Sequence, residues 1–137
     1  MGYKESLQAA GATVIAYKTF GDYQGTWLAK VEWNGQIGWV EGFYGSCTFC
    51  DAFEGEFGYD SATALGEDFW DGEYRPATQA DVDAYETRFK TFGLHYLESN
   101  FATQAEKESE IAHKVADCDW DDEYSRILEW VQSVKEN

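Results

Sequence analysis

Two thiols with two residues between them, Cys47 and Cys50 in Tyr44-Gly45-Ser46-Cys47-Thr48-Phe49-Cys50-Asp51, form the stretch most suited to chemistry. Such a pair can chelate one Zn²⁺, and a tetrahedral site then needs two further ligands. His113 and Cys118 could supply them as a Cys₃His set, although they lie over sixty residues further on in a segment expected to be helical. A C-x-x-C at a helix start also lowers a thiol pKa and suits redox exchange. Redox folds set that motif near a βαβ unit. Here no parallel unit follows. The third reading is packing, because a free cysteine behaves as a small hydrophobe. Half a metal site favours packing, so no cofactor is expected and zinc is the alternative.

The other chemistry on offer is carboxylate chemistry. Eight acids and no base lie between Asp51 and Glu73, with Glu67, Asp68, Asp71 and Glu73 at the end of the run. A second cluster, Asp117, Asp119, Asp121, Asp122 and Glu123, surrounds Trp120. Asp117-x-Asp119-x-Asp121 matches the start of an EF-hand loop, but Asp122 replaces the turn glycine and Leu128 the bidentate glutamate. No P-loop, H-E-x-x-H or G-x-S-x-G is present, and the two histidines, His95 and His113, have no nucleophile motif beside them. In a chain with 26 acids, paired carboxylates arise by chance. A non-enzymatic protein is expected.

The charge is uneven. Residues 1–50 carry four acids and three bases, whereas residues 51–137 carry 22 acids and seven bases, net −15 of the total −16. Aromatic residues make up 18% of the chain, which excludes a disordered acidic tail. Direct binding to nucleic acid is excluded by the lack of a basic surface to neutralise phosphates. No apolar run approaches membrane-span or signal-peptide length, so a cytoplasmic protein is expected, in the host cytoplasm if phage-encoded.

The elements that must position these groups follow from periodicity. Thr13 to Phe20 is a β-branched and aromatic run. Thr26 to Trp33 alternates, with Trp27, Ala29, Val31 and Trp33 on one face and Leu28, Lys30 and Glu32 on the other. Asn34-Gly35 suits a two-residue type I′ hairpin, and Gln36 to Tyr44 returns as a third strand. Beyond residue 72 there is a single glycine, Gly93, and helical spacing takes over. Thr78 and Asp81 read as a capping box before a stripe of Val82, Tyr85, Phe89, Phe92 and Tyr96. Thr103 and Glu106 repeat the box before Ile111, Val115 and Cys118, and Tyr124, Ile127, Leu128, Val131 and Val134 mark a last helix. Short helices are expected over Ser46–Phe57, with Phe49, Phe53 and Phe57 along one side, and over Ser61–Phe69. The fold class is α+β in one domain, residues 1–137. A small antiparallel meander of about three strands in the N-terminal half is covered over one face by helices from the C-terminal half.

The patterns D-Y-Q-G-x-W-x-A-x-V-E-x-N-G and Y-G-S-C-x-x-C-D-A-F-E, within residues 22–54, resemble a group of small acidic bacteriophage and prophage proteins. The resemblance implies a mobile-element origin and assigns no activity. A −15 half destabilises its own fold by self-repulsion, which suggests selection for a basic partner. The expected function is binding and inhibition of a basic, nucleic-acid-binding host protein, as in anti-CRISPR or anti-restriction counter-defence. Glu67, Asp68, Asp71, Glu73, Asp117, Asp119, Trp120, Asp121, Asp122 and Glu123 are the expected contact residues. The alternatives are a zinc or redox domain on Cys47 and Cys50, or a phage structural or assembly protein.

Overall fold

A computed structural model describes residues 2–22, 24–45, 51–53, 79–117 and 122–134. The order of elements is α1 (Tyr3–Ala9), β1 (Thr13–Gly21), β2 (Gly25–Trp33), β3 (Gln36–Tyr44), α2 (Gln79–Asn100), α3 (Gln104–Asp117) and α4 (Asp122–Ser133). The three strands form the expected antiparallel meander in the order β1-β2-β3. Asn34 (φ 52°) and Gly35 (φ 77°) make the turn between β2 and β3, the left-handed pair that a type I′ hairpin requires. Trp33 therefore pairs with Gln36, and the register runs unbroken to Gly25 opposite Tyr44.

Both faces of the sheet are covered, which corrects the expectation of helices over one face. Trp27, Ala29 and Val31 join Val40 and Tyr44 in a core with Tyr3 and Leu7 of α1 and Leu97 of α2. Leu28 joins Phe20 and Trp39 in a second core with Ile111 of α3 and Ile127 and Val131 of α4. The centre of β2, Trp27 to Val31, is buried at every position. The physical reason is Lys30. Its ammonium is not in water but donates to the Val134 carbonyl at 2.7 Å, so a residue that reads as solvent-facing lies under α4.

The first core is aromatic. Tyr3 stacks on Trp27 at 5.0 Å between ring centroids, Trp27 meets Tyr96 edge-on at 5.2 Å, and Phe53 packs edge-on against Phe92 and Phe89. Phe53 is buried in this core; Phe49, Phe57 and the Ser61–Phe69 segment lie outside the described residues. Trp27 lies flat over Gly42, its partner on β3, where any Cβ would strike the indole.

The α1 helix was absent from the expectation. Its signal is present: Tyr3, Leu7 and Ala10 share a face, and Gly11 follows with φ 103°. Gly11 N–H donates to Gln8 O and Ala12 N–H to Leu7 O, both at 3.1 Å, the paired bonds of a Schellman cap. Seven residues are too few to be helical alone. They are held by packing on α2, where Gly93 lets the two backbones approach so closely that a Cβ would strike the Ser6 carbonyl.

The stripe Tyr85, Phe89, Phe92, Tyr96 of α2 packs on the first core as expected, and buried Leu97 extends it. The edge of β3 is closed by the link from α2 to α3. Trp39 and Ala102 exchange backbone bonds of 2.7 and 2.9 Å, and Glu41 N–H donates to Asn100 Oδ1 at 2.9 Å.

Candidate partner-binding surface

The α3–α4 hairpin builds the surface. Thr103 and Glu106 cap α3 reciprocally: Thr103 N–H donates to Glu106 Oε1 at 3.0 Å, and Glu106 N–H to Thr103 Oγ1 at 3.2 Å. The Thr103 backbone N–H, and after it the Thr103 side chain, hold the Glu106 carboxyl below the usual range. The box proposed for Thr78 and Asp81 lies outside what the structure describes. α3 and α4 run antiparallel, since Gln104 at the start of α3 donates to Val131 O near the end of α4 at 3.3 Å. The same Gln104 accepts from Trp39 Nε1 at 2.7 Å, which fixes the hairpin to β3. Ile111, Ile127 and Val131 are buried beneath the hairpin, with Val115, Tyr124, Leu128 and Val134 packed around them.

The far end of the hairpin is acidic. Asp117 is exposed as the last residue of α3, and exposed Asp122 and half-buried Glu123 open α4. Carboxylates in the first turn of a helix complement its dipole, which accounts for Asp122 and Glu123. It does not account for Asp117, at the end where a cation would be favoured. The structure thus places three of the expected contact residues at the end of α3 and the start of α4. Glu67, Asp68, Asp71, Glu73, Asp119, Trp120 and Asp121 lie outside the described residues. α2, α3 and α4 each carry a net charge of −2, so the described helices hold less than half of the −15.

Between the sheet and these helices is a crevice of about 40 Å³ lined by Thr26, Glu41, Phe43, Ile111, Lys114, Tyr124 and Ile127. Phe43 at its mouth is 71% exposed. It ends a row across the sheet in which Phe20 pairs with Thr26 and Thr26 with Phe43. Trp130 of α4 covers Phe20 edge-on at 5.9 Å, whereas Phe43 is left to solvent. On the other flank of α4, a groove of about 640 Å³ runs along Lys18–Asp22 and past Glu123, Arg126, Glu129 and Trp130.

A buried ion cluster lies behind the crevice. Lys107 is 1% exposed and sits 3.1 Å from Glu41 Oε1 and 3.2 Å from Glu110 Oε2. Burial, then the hydrogen bond shared with Glu110, pushes the Glu41 carboxyl up despite Lys107. Burial acts on Glu110 too, but the bond from Glu41 and the charges of Lys107 and Lys114 outweigh it and hold Glu110 below the usual range. One carboxyl of the pair thus keeps its proton more readily than the other.

Of the runner-up metal ligands, Cys47, Cys50 and Cys118 lie outside the described residues. His113 is exposed on α3. Among the described residues no group of three or more His, Cys, Asp and Glu side chains could hold a metal ion. His95 is exposed on α2 with its ring edge-on to Tyr96 at 5.8 Å. Among the described residues no helix is long and apolar enough to cross a membrane. Sequence reasoning missed Phe43 and the Glu41–Lys107–Glu110 cluster. Phe43 lies on the same face as Trp39, which Trp130 of α4 covers, and nothing local in the sequence shows that the cover stops short of Phe43.

No protein-family model, curated protein or solved structure matches this chain.

Proposed function

We propose that this chain is a non-enzymatic, acidic protein of phage type that binds and inhibits a basic, nucleic-acid-binding host protein. Counter-defence of the anti-CRISPR or anti-restriction kind is the activity that fits. The observation that carries the reading is the charge asymmetry: a sheet-forming half of net −1 is followed by a half of net −15. Carboxylates displayed on a folded scaffold attract proteins that otherwise hold phosphates, and complementary charge accelerates and selects such encounters. Asp117 at the end of α3 and Asp122 and Glu123 at the start of α4 are the described members of that display.

The test is equilibrium binding of the purified chain to nucleic-acid-binding nucleases of the host, at low and high salt and with competing DNA. The expected result is tight binding at low salt that weakens steeply as salt rises and is displaced by DNA. Affinity that is independent of salt overturns the reading.

A further inference from the structure

We propose that the outer edge of β1, with the groove beside it, is where a second copy of this chain docks. Two β1 strands pair antiparallel about a two-fold axis at Phe20, and Lys18 of each copy lies beside Asp22 of the other. The inference is independent of the basic-partner reading above.

β1 is the outer strand of the sheet, and among the described residues it pairs with β2 alone. The outer side of β3, by contrast, is engaged by Asn100 and Ala102. The register of β1 breaks between Val14 and Ala16, and this bulge confines a regular ladder to the later part of the strand. There Lys18, Thr19, Gly21 and Asp22 are exposed. The Phe20 carbonyl is turned inward, toward Gly25 of β2 and the Tyr44 hydroxyl that donates to it at 3.1 Å. Strand alternation then turns the backbone groups of Thr19 to the open side. The groove of about 640 Å³ continues this edge, with Lys18–Asp22 as one wall and α4 as the other. An extended chain laid along β1 fills it and adds a strand to the sheet.

Charge selects the occupant. The β1 wall carries Lys18 and Asp22, and the α4 wall carries Arg126 between Glu123 and Glu129, so both signs stand on both walls. Among the described residues, Lys18, Asp22, Arg126 and Glu129 make no ion pair within the chain, and the Lys18 ammonium rests over the Phe20 ring at 5.4 Å from its centroid. A two-fold interface sets each residue against a different residue of its twin, and a strip carrying both signs satisfies it. Pairing about Phe20 puts positions 18 and 22 directly opposite on the face that carries Phe20, where an opposite-charge pair stabilises two strands. A segment of one sign would leave part of the strip facing its like. The −16 of each copy opposes association, but salt screens that repulsion. The Debye length falls from about 30 Å at 0.01 M to about 8 Å at 0.15 M, whereas the cross-strand pair is in contact.

The experiment measures the mass of the full chain by sedimentation equilibrium at low and physiological salt. The wild type is expected to dimerise more tightly as salt rises. Lys18→Glu and Asp22→Lys should each weaken the dimer about tenfold at physiological salt, because each puts like charges side by side. The first makes the chain two charges more negative and the second two less, so net charge alone would weaken one dimer and strengthen the other. The double reversal restores both the pair and the net charge, and should restore the dimer. Both positions are exposed, and circular dichroism checks that each variant is folded. A wild type that stays monomeric at both salt levels overturns the proposal. So does a dimer that the two single reversals leave unchanged or shift in opposite directions.

Discussion

The ammonium of Lys30, in the centre of β2, donates to the carbonyl of Val134, the residue after α4, at 2.7 Å. The bond spans 104 residues and joins the middle of the sheet to the far end of the helical half. Lys30→Met keeps most of the apolar stem and removes the charged donor. Hydrogen bonds to charged groups contribute about 1.5–3 kcal/mol, so a loss of about 1–3 kcal/mol is expected in urea unfolding. An unchanged midpoint would show that desolvating the ammonium cancels the bond.

Gly93→Ala should separate α1 from α2. The added methyl meets the Ser6 carbonyl and the Leu7 nitrogen, which are backbone atoms and cannot swing aside. Overpacking of this kind costs about 1–3 kcal/mol, more than the gain from replacing glycine within a helix. Thermal denaturation checks this. Faster amide exchange over residues 3–9 would locate the damage in α1.

The Glu41–Glu110 pair makes stability depend on pH in opposite senses. Glu41 is raised above its ordinary 4.5, so between that value and its folded value the native state holds the extra proton, and stability falls as pH rises through the interval. Glu110 is lowered, so its contribution is complete above 4.5 and is lost as pH falls through its folded value. Glu41→Gln should abolish the fall above 4.5 and leave the acid-side loss from Glu110. Unfolding midpoints across the two intervals decide it.

Alkali should unfold the protein as the buried phenols ionise. Burial raises Tyr3, Tyr17, Tyr44 and Tyr96 above their ordinary 10.0, and for Tyr3 the bond to the Asp51 carboxylate adds to it. Above pH 10 the unfolded chain gives up those protons and the native state keeps them, so stability is lost as pH rises. Tyrosinate absorbance from these residues should appear together with loss of ellipticity, not before it.

Much of the fold was legible because local chemistry and global packing agree. Asn34-Gly35 sets the β2–β3 register, and Thr103 and Glu106 mark the start of α3. What was not legible came from side chains used against type. Lys30 falls on the strand face opposite Trp27, where a charged residue suggests solvent, yet Lys30 and, on α3, Lys107 are buried and hold the second helical layer, which hid the second core. α1 is too short to be read from propensity and depends on Gly93, which lies over eighty residues away. For the candidate surface, the sequence revealed the sign of the charge, and Asp117, Asp122 and Glu123 were named from it. The exposure of Phe43 depends on where α4 crosses the sheet, and that is a tertiary fact.

The link between α2 and α3 fixes a length. Asn100, Ala102 and Gln104 each grip β3 at alternate positions, so the chain crosses from one face of the sheet to the other with no slack. Connectors are ordinarily where sequences drift in size. This one cannot: adding one residue between 100 and 104 would put one of the three grips out of phase with the other two, whereas the exposed Asn34-Gly35 tip could lengthen freely. A fusion tag or reporter inserted into this protein therefore belongs at the hairpin tip and not at the crossing.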